Sequence, residues 1–574
     1  MAARAIPALT LPRLRVTWAQ VGMLALVGAL GFYLVYPLLL ILLNSFNAAP
    51  IGQAPRYTLQ AWADAWSAPG LFQALLNTIK VAFWYQVISF PIGVLLAWVL
   101  GRTNVPFARG LELLFWLSFF LPALSATLGW ILLLDPNFGV LNQLAVSLFG
   151  LDHGPFNIYS FAGIVWVHLV SHSISTKVML LTPAFRNMDA ALEESSRMSG
   201  ATSWSTFLRV TLPVMTPSLV VVFMLSFVRL FESFEIELLL GVPFGFYVFS
   251  TKIVELAREE PPLLGQAAAL GSVTLLLLLF AVPVQRWLTT RRAYTTVSGR
   301  MKPTLVDLGR WRWPICGLMV AIAILLVAVP VFAVVAGSFM TRFGFFHLSG
   351  AWTLANWQRT LGSGAFGRSL LNTIIIAGSA ALIAPLVFSV VAYIVVRAKG
   401  VWGRGLLDAI LWVPSIIPGA LAGLGLLWMF LGIALFHPIY GTIFVLIIAS
   451  VVGGVTLSTQ LIKAALLQLG SELEEGSRMS GAGWLGTYVR IVLPLLAPTI
   501  VLVATLNFMF TANATSSVVM LATSQTRPLS LLVLDDVAAG QREAAAVITV
   551  IITGLTTGVA LLARSLGYNV GVRT

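Results

Sequence analysis

Ionisable residues inside apolar stretches are the first candidates for chemistry in this sequence. His168 and His172 are four residues apart, so a helix would place both imidazoles on one face, a spacing that could bind a metal ion. Their counterparts in a later repeat of the sequence are about Ala449 and Gly453, so no symmetric ligands would complete such a site. We therefore predict that the two histidines pack or form hydrogen bonds within a helical bundle, and we predict no metal site.

A second group of ionisable residues follows an apolar stretch that ends near residue 231. A charge at the bilayer centre costs about 2.5–3.5 kcal/mol on insertion scales, so such groups are expected at a rim or along a polar path. Two interpretations stay open, a mutually neutralised interfacial group that includes Glu237 and a vestibule that meets a solute. The corresponding segment of the later repeat is uncharged, so the sign of the solute's charge also stays open. The candidate pathway residues are Arg229, Glu232, Glu235, Asn507, Thr511 and Asn513.

The strongest pattern is a polar loop that occurs twice. Residues 194–201 read ESSRMSGA and residues 475–482 read EGSRMSGA. A Leu-Pro pair follows both copies at the same spacing, ending at Pro213 and Pro494, and is expected to start the next membrane helix. Glycine permits a turn after a short helix, and the acidic and basic residues three apart could pair with each other or with a partner. A solvated loop without a partner has no reason to repeat this spacing, which favours docking.

The sequence carries no recognisable enzyme motif. Residues 362–369 nearly match a phosphate-binding loop, but Arg368 stands where the lysine belongs and no strand is predicted before it. The single cysteine, Cys316, excludes an intrachain disulfide and a multi-cysteine metal site. We therefore predict that the chain is not an enzyme.

The elements that must position these residues are transmembrane helices. The chain is 59% hydrophobic and only 10% charged, whereas soluble domains carry roughly 25% charged residues. Because about 20 apolar residues cross the hydrocarbon core as a helix, we predict an all-α polytopic membrane protein with about twelve spans in two tandem six-helix halves. The predicted spans are 21–43, 77–100, 113–134, 158–181, 212–231, 263–284, 314–336, 372–396, 408–431, 439–462, 493–512 and 544–563.

Charge placement predicts the orientation. The net charge of +13 falls mainly in segments that are cytoplasmic if the N-terminus is cytoplasmic, which indicates topology rather than a nucleic-acid surface. Leu-Asn-Thr opens the second span at residues 76–78 and the eighth at residues 371–373, so the halves form a parallel repeat. The predicted divisions are a cytoplasmic N-terminal segment 1–20, a first half 21–284, a basic cytoplasmic linker 285–313, a second half 314–563 and a C-terminal tail 564–574.

The repeated loops resemble the EAA loop of binding-protein-dependent ABC importer permeases, in which Glu-Ala-Ala is followed at fixed spacing by Gly and then by Ile-x-Leu-Pro. Serine and glycine replace the alanines here. The resemblance places the loops at about 189–217 and 470–498 and implies the type I ABC importer permease fold (MetI-like). It also implies that each loop docks a subunit of a cytoplasmic ATPase dimer. The implied docking residues are Glu194, Ser195, Ser196, Arg197, Gly200, Ala201, Glu475, Gly476, Ser477, Arg478, Gly481 and Ala482.

The same resemblance implies partners and a class of solute. Such permeases work with an ATPase that binds ATP and Mg and with a periplasmic substrate-binding protein, so this chain is expected to hold no cofactor. A bacterial inner-membrane location with both termini cytoplasmic is implied. Residues 232–241 resemble the iron(III) type. Iron(III) is the first expectation for the solute, with thiamine, aminoethylphosphonate or a polyamine as alternatives. An ion-coupled secondary transporter with two six-helix halves is the alternative class.

Overall fold

The computed structural model describes residues 18–49, 53, 55–230, 233–291, 305–346, 348, 350–398 and 400–565. Side chains 18, 19, 228–230, 278–291 and 416 lie outside this description. Most of the predicted terminal segments 1–20 and 564–574 and the central part of the linker 285–313 also lie outside it. Within the described residues the regular structure is helical, with three isolated β-bridges.

Fifteen helices belong to the first half. They are α1 (Trp18–Leu34), α2 (Tyr36–Asn44), α3 (Gln60–Ser67), α4 (Leu71–Arg102), α5 (Ala108–Phe120), α6 (Ala123–Leu134), α7 (Val140–Phe149), α8 (Phe161–His168), α9 (Ile174–Arg186), α10 (Ala191–Met198), α11 (Ser203–Thr206), α12 (Leu212–Leu230), α13 (Glu235–Leu240), α14 (Phe249–Arg258) and α15 (Leu264–Arg291). Short π-helical segments, Leu169–Ser173 and Phe207–Thr211, join α8 to α9 and α11 to α12.

Thirteen helices follow in the second half. They are α16 (Arg312–Ala323), α17 (Val329–Ser338), α18 (Ala355–Leu361), α19 (Gly364–Arg397), α20 (Arg404–Ile410), α21 (Gly419–Gly432), α22 (Ile443–Gly453), α23 (Val455–Gln468), α24 (Glu472–Met479), α25 (Trp484–Thr487), α26 (Leu493–Ala512), α27 (Leu529–Ala538) and α28 (Arg542–Ser565). The π-helical segments Ile324–Ala328 and Tyr488–Val492 join α16 to α17 and α25 to α26.

The predicted membrane spans correspond to long apolar helices. In the described residues, 7 helices are long and apolar enough to cross a membrane, and four bent pairs raise the number to 11. The one predicted span not among these 11 is the sixth, which corresponds to α15, whose apolar part with described side chains is Leu264–Leu277. The third span of each half is sharply broken, by 93° between α5 and α6 and by 113° between the helices 404–415 and 419–432. Pro122 and Pro418 stand at these breaks, where each ends the preceding helix because proline lacks an N–H group.

The fifth span of each half begins earlier than predicted. Continuous helices run over Ser203–Phe227 and Trp484–Ala512, so the Leu-Pro pairs lie inside them instead of starting them. A π-helical turn directly precedes Leu212 and Leu493 in both copies. This wider turn accommodates Pro213 and Pro494, which cannot donate the usual backbone hydrogen bond.

The halves pack against each other through their first and third spans. Helix α2 of the first half packs on α21 of the second, and α17 of the second half packs on α6 of the first. A glycine at each contact allows the two helices to approach closely, because it has no side chain. A Cβ on Gly129 would lie 2.4 Å from the Pro330 carbonyl oxygen, and a Cβ on Gly425 would lie 2.7 Å from that of Pro37. The two contacts occupy matching positions, so the interface follows the sequence repeat.

The described end of the linker is attached to the first half. The Val306 amide donates to the Arg102 carbonyl at 2.7 Å, and the Asn104 amide donates to the Val306 carbonyl at 3.1 Å. The Asn104 side chain donates to Asp307 Oδ1 at 2.6 Å. The backbone N–H of Gly309 and the Asn104 side chain hold the pKa of the Asp307 carboxyl below its usual value. The linker therefore runs beside the cytoplasmic end of α4 under the predicted orientation.

Candidate docking loops and central cavity

The two repeated loops each contain a short helix that ends at glycine. Helices α10 and α24 are followed by Gly200 with φ +85° and Gly481 with φ +80°. A Cβ at either glycine would have nothing within 4 Å, so the left-handed backbone conformation, and not crowding, favours glycine there. In the first copy, the Gly200 and Ala201 amides donate to the carbonyls of Arg197 and Ser196 at the end of the helix. The predicted turn after each helix is confirmed.

A buried glutamate anchors α10, which we name the first docking helix after its predicted role, with α24 as the second. This glutamate is Glu193, the neighbour of the predicted Glu194. Its Oε2 accepts from Arg102 Nε at 3.1 Å, and its Oε1 accepts from Thr211 Oγ1 at 2.7 Å. Arg102 is fully buried and also donates from Nη1 to the Met188 carbonyl at 3.1 Å. The helix is therefore tied at once to the end of α4 and to the π-helical turn before α12.

The second docking helix repeats this anchor with a different third partner. Glu474 is buried, and its Oε1 accepts from Arg397 Nε at 2.8 Å. Its Oε2 accepts from the Tyr393 hydroxyl at 2.7 Å, in place of the threonine used by the first copy. Arg397 also donates to the Leu469 carbonyl at 3.0 Å. Sequence reasoning missed both anchors, although an acidic residue preceding the motif glutamate in both copies was a readable signal.

The predicted docking residues fall into an exposed set and a half-buried set. Glu194, Ser195, Gly200, Glu475, Gly476, Arg478 and Gly481 are exposed, and Ser196, Arg197, Ala201, Ser477 and Ala482 are half-buried. Ser196 and Ser477 are not merely small, because their hydroxyls share hydrogen bonds with Thr206 at 3.0 Å and Thr487 at 2.9 Å. The two serines therefore fasten each docking helix to the helix that follows it.

The sequence analysis did not identify an exposed apolar residue at the end of each docking helix. Met198 is 91% exposed and Met479 is 89% exposed, at matching positions of the two copies. Trp204 stacks on Phe207 with ring centroids 5.3 Å apart, and Trp484 stacks on Tyr488 at 6.0 Å. The two tryptophans differ by one position in the sequence, yet each lies against the first aromatic residue of its π-helical turn. Both loops thus present exposed apolar side chains of similar kind.

A cavity of about 710 Å³ lies between the halves. The broken third spans contribute Phe119–Ser125 and several residues of 412–419, and the segments after the fifth spans contribute residues 233–236 and 513–517. Four of the predicted pathway residues line it: Glu235, Asn507, Thr511 and Asn513. The side chain of Arg229 and all of Glu232 lie outside the described residues.

The cavity wall contains ionisable residues, of which the sequence analysis singled out the two histidines but not Lys177. Lys177 on α9 is fully buried and lines the cavity, as do His168 and His172. His168 Nε2 lies 2.7 Å from Glu237 Oε1, and Ser233 Oγ donates to Glu237 Oε2 at 2.6 Å. The predicted hydrogen bonding of His168 is confirmed. Glu237 is hydrogen-bonded to this histidine, which lies on another helix, and to Ser233 of its own segment.

The described residues include no group of three or more His, Cys, Asp or Glu side chains arranged to hold a metal ion. Buried ionisable residues also occur in ion-coupled transporters. The cavity by itself therefore does not separate the two classes of transporter, which the comparisons with known proteins address.

The repeated Leu-Asn-Thr motif has a structural role in both halves. Asn77 Nδ2 donates to the Tyr247 carbonyl at 2.9 Å, and Asn372 Nδ2 donates to the Arg527 carbonyl at 3.2 Å. The next residue accepts from the first amide of a short helix: Thr78 from Phe249 at 2.9 Å and Thr373 from Leu529 at 2.8 Å. The motif thus fastens α14 and α27 to the second span of their own half.

Comparisons with known proteins find similar sequences among transport permeases. Residues 386–570 match the model of the binding-protein-dependent transport system inner membrane component. The chain is 26% identical over 533 residues to a ferric transport system permease protein of Actinobacillus pleuropneumoniae, covering 91% of this chain and 74% of that protein. A putative ferric transport system permease protein of Haemophilus influenzae is 26% identical over 537 residues, covering 91% and 82%. The sulfate transport system permease protein CysT of Escherichia coli is 29% identical over 231 residues, covering 39% and 80%.

Proposed function

We propose that this chain, an ABC importer permease of the binding-protein-dependent type and a multi-pass inner-membrane protein, moves a small polar solute inward by alternating access at the cavity between its halves. The observation that carries the mechanism is the pair of anchored docking helices. Glu193 with Arg102 and Glu474 with Arg397 join each exposed loop to the end of a second span. Tyr85 on the first of these spans lines the cavity, so the anchor connects the docking loop to the cavity wall.

Each docking loop binds one subunit of a cytoplasmic ATPase dimer. The exposed Met198 and Met479 supply apolar contact area at the tip, and the exposed Glu194 and Glu475 supply charge beside it. ATP and Mg are bound by that partner, and this chain contributes no catalytic group. Closure of the ATPase dimer moves α10 and α24 together, and their buried anchors carry this movement to α4 and α19. Both chain termini and both loops lie on the cytoplasmic side.

Iron(III) is the first candidate for the solute, delivered by a periplasmic substrate-binding protein. Two relatives that match nine-tenths of this chain are named as ferric transport permeases. A shorter match to a sulfate permease shows that related chains serve other solutes. Thiamine, aminoethylphosphonate and polyamines remain the alternatives. Purifying the binding protein and identifying the ligand that it holds by mass spectrometry tests this choice directly.

The docking role is tested by replacing both loop glycines. In proteoliposomes with the ATPase and the binding protein, Gly200→Val with Gly481→Val should abolish ATP-driven uptake, because valine resists the left-handed backbone at the end of each docking helix. The matched control is Gly540→Val, which creates the same strain at φ +77° outside both loops. Full uptake by the double variant, at normal membrane levels, would refute the docking role.

A further inference from the structure

Two ionisable side chains line the cavity without a group of opposite charge beside them. Lys177 Nζ donates to the Ser173 carbonyl at 3.2 Å and lies 5.2 Å from the centroid of the Tyr85 ring. Glu235, at the start of α13, is half-buried. In the part of the chain that the structure describes, neither side chain lies within 4.0 Å of an oppositely charged group. Charging such a group without a partner is costly inside a membrane protein, so its charged form is expected to be stabilised by a ligand.

The neighbouring ionisable residues do not provide an ionic partner for Lys177 or Glu235. Glu237 is already paired with His168 and accepts from Ser233. Among the described Lys, Arg, Asp and Glu side chains that line the cavity, Lys177 and Glu235 therefore have no ionic partner within 4.0 Å. One can carry a negative charge and the other a positive charge, so the first half offers two complementary contacts.

The wall from the second half is polar but uncharged in the described residues. It carries buried oxygen and nitrogen atoms that have no hydrogen-bond partner among the described protein groups. These atoms are Ser450 Oγ, Gln460 Nε2, Asn513 Oδ1, Thr515 Oγ1 and Thr549 Oγ1, and all five residues line the cavity. By the sequence repeat, Ser458 and Ser516 stand where the first half has Lys177 and Glu235. The charges are therefore a property of one half only.

We propose that the first half recognises the solute through two opposite charges, Lys177 contacting an anionic group and Glu235 a cationic group, while the second half contributes neutral hydrogen bonds. This inference rests on the proposed function and narrows its solute to one that carries both charges. A zwitterion fits, and so does a metal cation that enters with an anionic ligand. A bare trivalent iron ion does not fit, because one unpaired carboxylate would leave most of its charge uncompensated in a medium of low dielectric constant.

The choice of solute is tested with four probes in proteoliposomes that contain this chain, its ATPase and its binding protein. Iron(III) citrate and 2-aminoethylphosphonate carry both charges, thiamine is cationic and sulfate is anionic. ATP-driven import of either of the first two supports the inference. Import of thiamine or sulfate alone overturns the inference but leaves the proposed function intact. Absence of ATP-driven import of all four probes overturns the inference, whereas the proposed function is overturned only if the ligand that the binding protein itself holds is also not imported.

The two charges are tested separately by substitution. Lys177→Met and Glu235→Gln should each lower uptake of the imported probe by about tenfold or more, which corresponds to ~1.4 kcal/mol of lost binding. The Lys177→Arg variant keeps the charge and should retain more uptake than Lys177→Met. The matched controls are Lys80→Met and Glu259→Gln, which remove exposed charges outside the cavity and should leave uptake unchanged.

Each pattern of results has one meaning. Loss with both substitutions supports the inference, whereas loss with only one indicates a solute of single charge and overturns it, as does wild-type uptake by both variants. Membrane level and melting temperature separate lost recognition from lost folding. If Lys177→Met fails to fold, Glu235→Gln decides the result, because the described structure shows no ion-pair partner that its substitution would strand.

Discussion

Removing the buried anchor of the first docking helix should release that helix from the membrane domain. In Glu193→Ala, Arg102 stays fully buried but loses its carboxylate partner. Breaking a buried pair by removing one partner costs about 3–5 kcal/mol. Since α10 is short and otherwise exposed on its outer face, we expect most of this cost to appear as local opening of the docking loop rather than as unfolding of the chain.

Amide hydrogen exchange of the assembled transporter measures this opening. At ~1.4 kcal/mol per tenfold change, the amides of residues 191–200 should exchange about 100-fold to 1,000-fold faster, or more, in Glu193→Ala. ATP-driven uptake should fall in parallel. Glu474→Ala should have a smaller effect, because the side chain of its partner Arg397 is 19% exposed and water can solvate the stranded charge.

The exposed neighbouring residue, Glu194, provides the control for the Glu193→Ala experiment. Glu194→Ala removes the motif glutamate itself but leaves the anchor intact, so exchange in the loop should stay close to that of the wild type. The double variant Glu193→Met with Arg102→Met should recover much of the lost protection, because apolar replacement of a buried pair is often close to neutral. Equal exchange in Glu193→Ala and Glu194→Ala would show that the buried pair does not hold the helix.

Three further changes test other parts of the structure. Gly129→Ala would place a methyl group 2.4 Å from a carbonyl oxygen of the other half, so the melting temperature should fall, whereas Gly554→Ala, with nothing within 4 Å, should leave it unchanged or raise it. Thr373→Val strands the buried amide of Leu529 and should cost about 1–3 kcal/mol, measured as faster exchange at the start of α27 and contradicted by unchanged exchange. Asn104→Ala removes side-chain bonds to the linker, so trypsin should cut near residues 310–312 faster than in the wild type, and an equal rate would contradict the linker attachment.

The sequence predicted the membrane class, the repeat and both loop turns from features that are local. A span of about 20 apolar residues and a glycine at the end of a short polar helix depend on neighbouring residues only. For the same reason the predicted glycines Gly200 and Gly481 coincide with the left-handed turns.

The anchors were missed because the sequence does not reveal the rotational phase of an eight-residue helix. Successive residues of a helix are turned by about 100°. The motif glutamate Glu194 therefore points outward when its neighbour Glu193 points inward. The sequence analysis named Glu194, whereas the residue that faces inward is its neighbour Glu193. Only packing against Arg102 determines which of the two glutamates faces inward.

The cavity depends on contacts between distant parts of the chain. His168 and Glu237 are on separate helices and meet at 2.7 Å, and Lys177 is a single charge within a helix whose composition still passes as a membrane span. Sequence alone determined that the chain has two membrane-spanning halves, each with an exposed polar loop, because apolar length and repeat spacing are properties of the chain in one dimension. Which glutamate anchors each loop and which charges face the cavity were decided only by the tertiary structure, because the direction of a side chain depends on the helices packed against it.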